Sequence, residues 1–68
     1  MNLTVNGAPY EPDDAPTIRD VVERVAPRRG ERGTAVAING EVVPRTMWDE
    51  TKLSDGDRVE VLHAIGGG

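Results

Sequence analysis

Few groups in this chain could take part in a reaction, and testing them in turn leaves a carboxylate. Cysteine is absent and histidine occurs once, as His63, so neither a thiol nucleophile nor a histidine relay can be assembled. No glycine-rich loop between a strand-like and a helix-like stretch offers a phosphate cradle, and no Ser or Thr stands with a base at motif spacing. Asp13-Asp14 has no further carboxylate at ligand spacing and reads as a solvated turn, and Asp55-Gly56-Asp57 falls short of a calcium loop. Arg28, Arg29 and Arg32 could gather an anion, but basic residues just beyond a helix also complement its C-terminal dipole, which accounts for them without a ligand. His63 reads as a packed or solvent-facing residue. What remains is Gly66-Gly67-Gly68 and its terminal carboxylate. Three residues without a Cβ cannot fill a core, so they make a thin, flexible arm. A carboxylate in water is a poor electrophile and reacts only once a partner turns it into a better acyl donor, such as an acyl-adenylate made from ATP. Catalysis would then belong to the partner, and this chain would be no enzyme.

A glycine-rich end can also be mere fraying, and the stretch before it argues against that. In Arg58 to Ile65, Val59 and Val61 alternate with Arg58 and Glu60, the period of a half-buried strand, so the arm projects from an anchored base. The other elements must form the sheet that holds this strand. Met1, Leu3 and Val5 alternate with Asn2, Thr4 and Asn6. Asn6-Gly7 is a tight-turn pair, and Ala8-Pro9-Tyr10-Glu11-Pro12 should return as a short edge strand because its prolines cannot donate to a ladder. Thr17 is a good N-cap with Asp20 at capping-box spacing. Ile18, Val21, Val22 and Val25 define one apolar helix face, Arg19, Asp20, Glu23 and Arg24 the wet one, and Pro27 the stop. Thr34 to Asn39 is a third strand, Asn39-Gly40 a second tight turn, and Glu41-Val42-Val43-Pro44 the returning arm. Thr46 to Leu53 is expected to give a helical turn with Trp48 and Leu53 covering the core edge, and Ser54-Asp55-Gly56-Asp57 a turn into the final strand.

At 68 residues there is room for one small domain of marginal stability, and without cysteine no disulfide can staple it. A cysteine-free chain with neither a basic n-region nor a membrane-length apolar run suits the reducing cytoplasm. A net charge of -4, with one Trp, one Tyr and no Phe, argues against nucleic acid as a partner.

These elements assemble as an α+β domain, a mixed sheet of about five strands with one main helix across one face. Ile18, Val21, Val22 and Val25 would be buried against Leu3, Val5, Val36, Ile38, Val59 and Val61. On the opposite face Ala35, Ala37, Leu62 and Ala64 either form a smooth apolar patch beside the arm or are scattered small residues. In the first reading Leu62, Ala64, Ile65, Ala35 and Ala37 are the candidate partner interface.

The order of elements, the Gly67-Gly68 end, Ala37-Ile38-Asn39-Gly40-Glu41-Val42-Val43-Pro44-Arg45, Trp48, Asp55-Gly56-Asp57 and Val59-Glu60-Val61 together resemble the ThiS family of sulfur carriers in thiamin biosynthesis. The likeness spans the whole chain. The diglycine is common to ubiquitin-like tails, whereas the NGEVVPR run followed by a Trp and then DGD distinguishes this family from its molybdopterin-pathway relative, MoaD. The resemblance implies a β-grasp domain over residues 1–65 and a flexible tail over 66–68, with no bound cofactor. It further implies a ThiF-type adenylyltransferase that spends ATP on Gly68, a cysteine desulfurase as sulfur source, and the thiazole synthase ThiG as recipient. Gly67 would be the required slim neighbour. Gly66 departs from the family pattern, in which a larger residue often precedes the pair. A MoaD-like carrier for another metabolite and a ubiquitin-like modifier of lysines are the alternatives on the same fold.

Overall fold

The computed structural model describes residues 1–26 and 33–63, the side chain of His63 excepted. In order these form β1 (Leu3–Val5), β2 (Ala8–Tyr10), α1 (Ile18–Val25), β3 (Thr34–Ile38), β4 (Glu41–Val43), a 3-10 turn (Arg45–Met47) and β5 (Arg58–His63). The helix stop at Pro27, the arginines at 28, 29 and 32, Ala64, Ile65 and the Gly66-Gly67-Gly68 tail lie outside the described residues.

Both Asn-Gly pairs turn as their chemistry requires. Asn6 and Asn39 each sit at φ 51°, followed by Gly7 at 82° and Gly40 at 89°, the left-handed values that a type I′ hairpin needs at both central positions. The hairpins pair β1 with β2 and β3 with β4, both antiparallel. β5 enters between them, parallel to β1 and antiparallel to β3, giving the sheet order β2-β1-β5-β3-β4. The last element in sequence is therefore the middle of the sheet, and β2 with its proline is an edge as expected.

The helix begins where the sequence places it. Thr17 Oγ1 accepts the Asp20 N–H at 3.2 Å and Asp20 Oδ2 accepts the Thr17 N–H at 2.9 Å, a complete capping box. Two more first-turn donors are satisfied from the loop after the 3-10 turn: Ile18 N–H bonds to the Thr51 carbonyl at 3.0 Å and Arg19 N–H to the Trp48 carbonyl at 3.4 Å. Leu53 N–H returns to the Pro16 carbonyl at 2.8 Å, which fixes this loop against the helix start.

Ile18, Val21 and Val22 are fully buried against Leu3, Val5, Val36, Val59 and Val61. Two sequence expectations need correcting. Val25 is 43% exposed rather than buried: it lies beside the short edge strand, lining a groove of about 190 Å³ with Ala8, Pro9 and Tyr10, and among the described residues no strand lies beyond β2 to cover it. Trp48 and Leu53 lie inside the core, not over its edge, because the 3-10 turn swings the indole inward, where Nε1 donates to the Val43 carbonyl at 3.1 Å. A buried indole keeps its apolar area out of water only if its N–H finds such a partner.

Candidate functional site

The strand that leads toward the tail is held on both sides. Residues Arg58, Glu60 and Leu62 of β5 point to the sheet face opposite the helix, since Val59 and Val61 between them are buried in the core. Register places Leu62 opposite Ala35, and Glu60 opposite Ala37, which itself faces Val42 on β4. Leu62 is 59% exposed, Val42 74% exposed, and Ala35 exposed. Leu62 and Ala35 thus form an apolar pair on the open face at the end of β5 nearest the tail, and Val42 on β4 extends it diagonally, one pair back at the level of Glu60. Ala37 is corrected here: it is buried, because a single methyl between the longer side chains of Glu60 and Val42 is shaded by them. Val42 joins the face beyond the residues that alternation along β3 and β5 picks out, and its signal in the sequence is the second turn. A two-residue turn at Asn39-Gly40 pairs Ile38 with Glu41 and Ala37 with Val42, so Val42 must share the face of Ala37. Ala64 and Ile65 of the expected interface lie outside the described residues.

Two asparagines grip the backbone of β5. From the β3 side Asn39 Oδ1 accepts the Arg58 N–H at 3.0 Å while its own N–H donates to the Arg58 carbonyl at 2.8 Å. From the β1 side Asn6 N–H donates to the Val59 carbonyl at 2.9 Å, and its side chain then reaches one pair further along, Oδ1 accepting the Val61 N–H at 2.8 Å and Nδ2 donating to the Val61 carbonyl at 3.3 Å.

The aspartates of the turn before β5 serve two backbone N–H groups and the Asn39 side chain. Asp57 Oδ2 accepts the Ser54 N–H at 2.7 Å, Asp57 Oδ1 accepts Asn39 Nδ2 at 3.2 Å, and Asp55 Oδ1 accepts the Asn2 N–H at 2.6 Å. They place the start of β5 against β1, where Thr4 N–H meets the Asp57 carbonyl at 3.1 Å. Among the described residues no group of three His, Cys, Asp or Glu converges as a metal site, and no helix is long and apolar enough to cross a membrane.

Comparison with known proteins gives a consistent picture. The ThiS family model matches residues 3–68. The sulfur carrier protein ThiS of Escherichia coli (strain K12) is 29% identical over 68 residues, covering 100% of this chain and 100% of that protein. The crystal structure of the thiamine biosynthesis protein (ThiS) from Geobacter metallireducens is similar at a TM-score of 0.78 and 40% identity, with 100% of both chains covered. A solution structure of a thiamine biosynthesis protein from the same organism is similar at a TM-score of 0.78 and 38% identity, covering 100% of this chain and 88% of that one.

Proposed function

The chain belongs to the ThiS family, with a β-grasp fold, and from that premise we propose that it is the sulfur carrier of thiamin biosynthesis and that Gly68 bears the sulfur. The Gly68 carboxylate attacks the α-phosphorus of ATP in a ThiF-type adenylyltransferase, releasing pyrophosphate and leaving an acyl-adenylate. The persulfide of a cysteine desulfurase then displaces AMP to give an acyl disulfide; a thiol cleaves its S–S bond, leaving as part of a new disulfide, and the thiocarboxylate so released donates its sulfur to the thiazole synthase ThiG. The chain is the co-substrate of these enzymes rather than a catalyst.

The observation that carries this reading is the family match running through Gly68, in a chain without any cysteine to hold sulfur as a thiol. A carrier so built has its carboxyl end as the one place for the cargo. Leu62, Ala35 and Val42 form the face we assign to the partner enzymes, while Ala64 and Ile65, expected there from sequence, lie outside the described residues. Partners of this kind place the work in the reducing cytoplasm.

The decisive experiment is an intact-mass measurement on the protein from its native cell. Replacement of one oxygen by sulfur at the C-terminus is expected. Lysine-linked adducts in its place would make the chain a modifier, and an unmodified terminus under conditions of active thiamin synthesis would remove the carrier role.

A further inference from the structure

We infer that Asn6 is a positioning residue for the tail: its side-chain amide stands in for a missing peptide group of β1 and holds β5 at Val61, the last hold on that side among the described residues. The inference rests on the sulfur-carrier reading of the tail.

β1 ends at Val5, and the left-handed turn at Asn6 and Gly7 carries the backbone away from β5. Parallel pairing by main chain therefore stops with the Asn6 N–H on the Val59 carbonyl. A carboxamide carries a donor and an acceptor side by side, as a peptide group does, and the Asn6 side chain meets both the N–H and the carbonyl of Val61. The ladder is prolonged by one residue without any backbone to prolong it. Deleting this hold leaves β5 beyond Val59 attached along one seam only, that to β3. Slack at Val61 shifts the base from which the tail starts, and a reacting group displaced by about 1 Å can lose up to about a hundredfold in rate.

Tolerance of a left-handed φ explains why an asparagine can stand at position 6, but glycine would serve a φ of 51° equally well and offers no amide. Asn39 supplies an internal control. It has the same φ and also bonds to β5, but at Arg58, the end of the strand remote from the tail. General loosening of the domain should follow the loss of either side chain, whereas mispositioning of the tail should follow the loss of Asn6 alone.

The experiment compares Asn6→Gly, Asn6→Asp and Asn39→Gly in the full chain. Amide hydrogen exchange is read at Val61 by NMR, and kcat and KM for adenylate formation are read with the purified activating enzyme. Asn6→Gly is expected to speed Val61 exchange about tenfold and to lower kcat about tenfold with KM within about twofold. Asn6→Asp keeps only the acceptor for the Val61 N–H and should fall between wild type and glycine in both readouts, which keeps the test usable if the glycine variant does not fold. Asn39→Gly should leave kcat within about twofold of wild type. Equal kcat losses in the two glycine variants, unchanged exchange at Val61, or faster exchange with unchanged kcat would each overturn the assignment. A wild-type chain that accepts no adenylate removes the carrier reading and this role with it; a wild type that accepts adenylate no faster than Asn6→Gly removes the role of Asn6 alone.

Discussion

Leu62 and Ala35 stand opposite each other across the β5–β3 pair, and the alanine is too short to cover the leucine, which remains 59% exposed. An exposed leucine contributes little to the stability of the domain but on the order of 1–3 kcal/mol to a partner that buries it. Leu62→Asp is therefore expected to weaken binding to the activating enzyme roughly 10- to 100-fold while the thermal midpoint barely moves. Calorimetric unfolding and binding titration on this variant check both halves. A large fall in the midpoint, or undiminished affinity, would remove the open face from the account.

Val42 extends the same apolar pair diagonally onto β4, and Val42→Asp should weaken the same complex with an equally small effect on folding. If a single partner covers all three, the double variant with Leu62→Asp falls short of the sum of the single losses or exceeds it, because the two side chains share one desolvated contact. A double-mutant cycle measures the coupling, and strict additivity would place the two residues under different contacts.

Gly67→Val should block loading of the tail without changing the melting temperature, since a β-branched side chain both thickens the arm and restricts its backbone. Removing Gly68 should do the same by moving the carboxylate back along the chain. Intact mass after incubation with the activating enzyme, ATP and a sulfur source gives the result. Normal loading of Gly67→Val would show that the partner has no narrow channel for this arm, and normal loading of the chain without Gly68 would defeat the carrier reading.

Trp48 is 1% exposed and its indole N–H is committed to Val43, so Trp48→Phe loses both volume and a hydrogen bond. A loss of about 1–3 kcal/mol is expected, a large share of what a domain of this size commands. Urea unfolding followed by circular dichroism tests it, and a midpoint equal to wild type would contradict the burial described for this residue.

Thr17→Ala removes one half of the capping box and should cost about 1 kcal/mol, or a fall in Tm of about 4–8 °C. The same substitution at Thr46, for which no capping role is described, provides the reference in thermal unfolding. Equal shifts in the two variants would deny the cap its role.

Much of this architecture is legible from local chemistry. The Asn-Gly pairs, the capping box at Thr17 and Asp20, and the valine alternation in β5 each depend on a few neighbouring residues, and each appears where the sequence places it. Features that depend on partners distant in sequence were harder to read. Val25 continues the helical period without a fault and is exposed nonetheless, because burial there needs a strand beyond β2. Trp48 lies in an aperiodic segment, so nothing local shows that its ring turns inward to meet Val43. Ala37 alternates outward as expected, yet its exposure is set by Glu60 and Val42 on the neighbouring strands. The side-chain role of Asn6 was hidden for a related reason: its turn chemistry already explained it, and Val61 is remote in sequence.

The central place of β5 also sets the order in which the protein can come into being. Until that strand arrives, the β1–β2 and β3–β4 hairpins share no neighbour within the sheet, and isolated hairpins in water are marginal at best. A nascent chain is made from its N-terminus, so the two halves wait for the segment that joins them, and its long loop closures make that joining the slow event of folding. The joining strand is also the one that carries Leu62 and leads to the glycines. An incomplete or misfolded copy thus lacks a seated β5, and with it an assembled face for any enzyme to recognise. On the sulfur-carrier reading, activation is then expected only of finished molecules. A chain cut after Arg58 would be expected to show little sheet by circular dichroism, and a native-like spectrum from that fragment would refute this order of assembly.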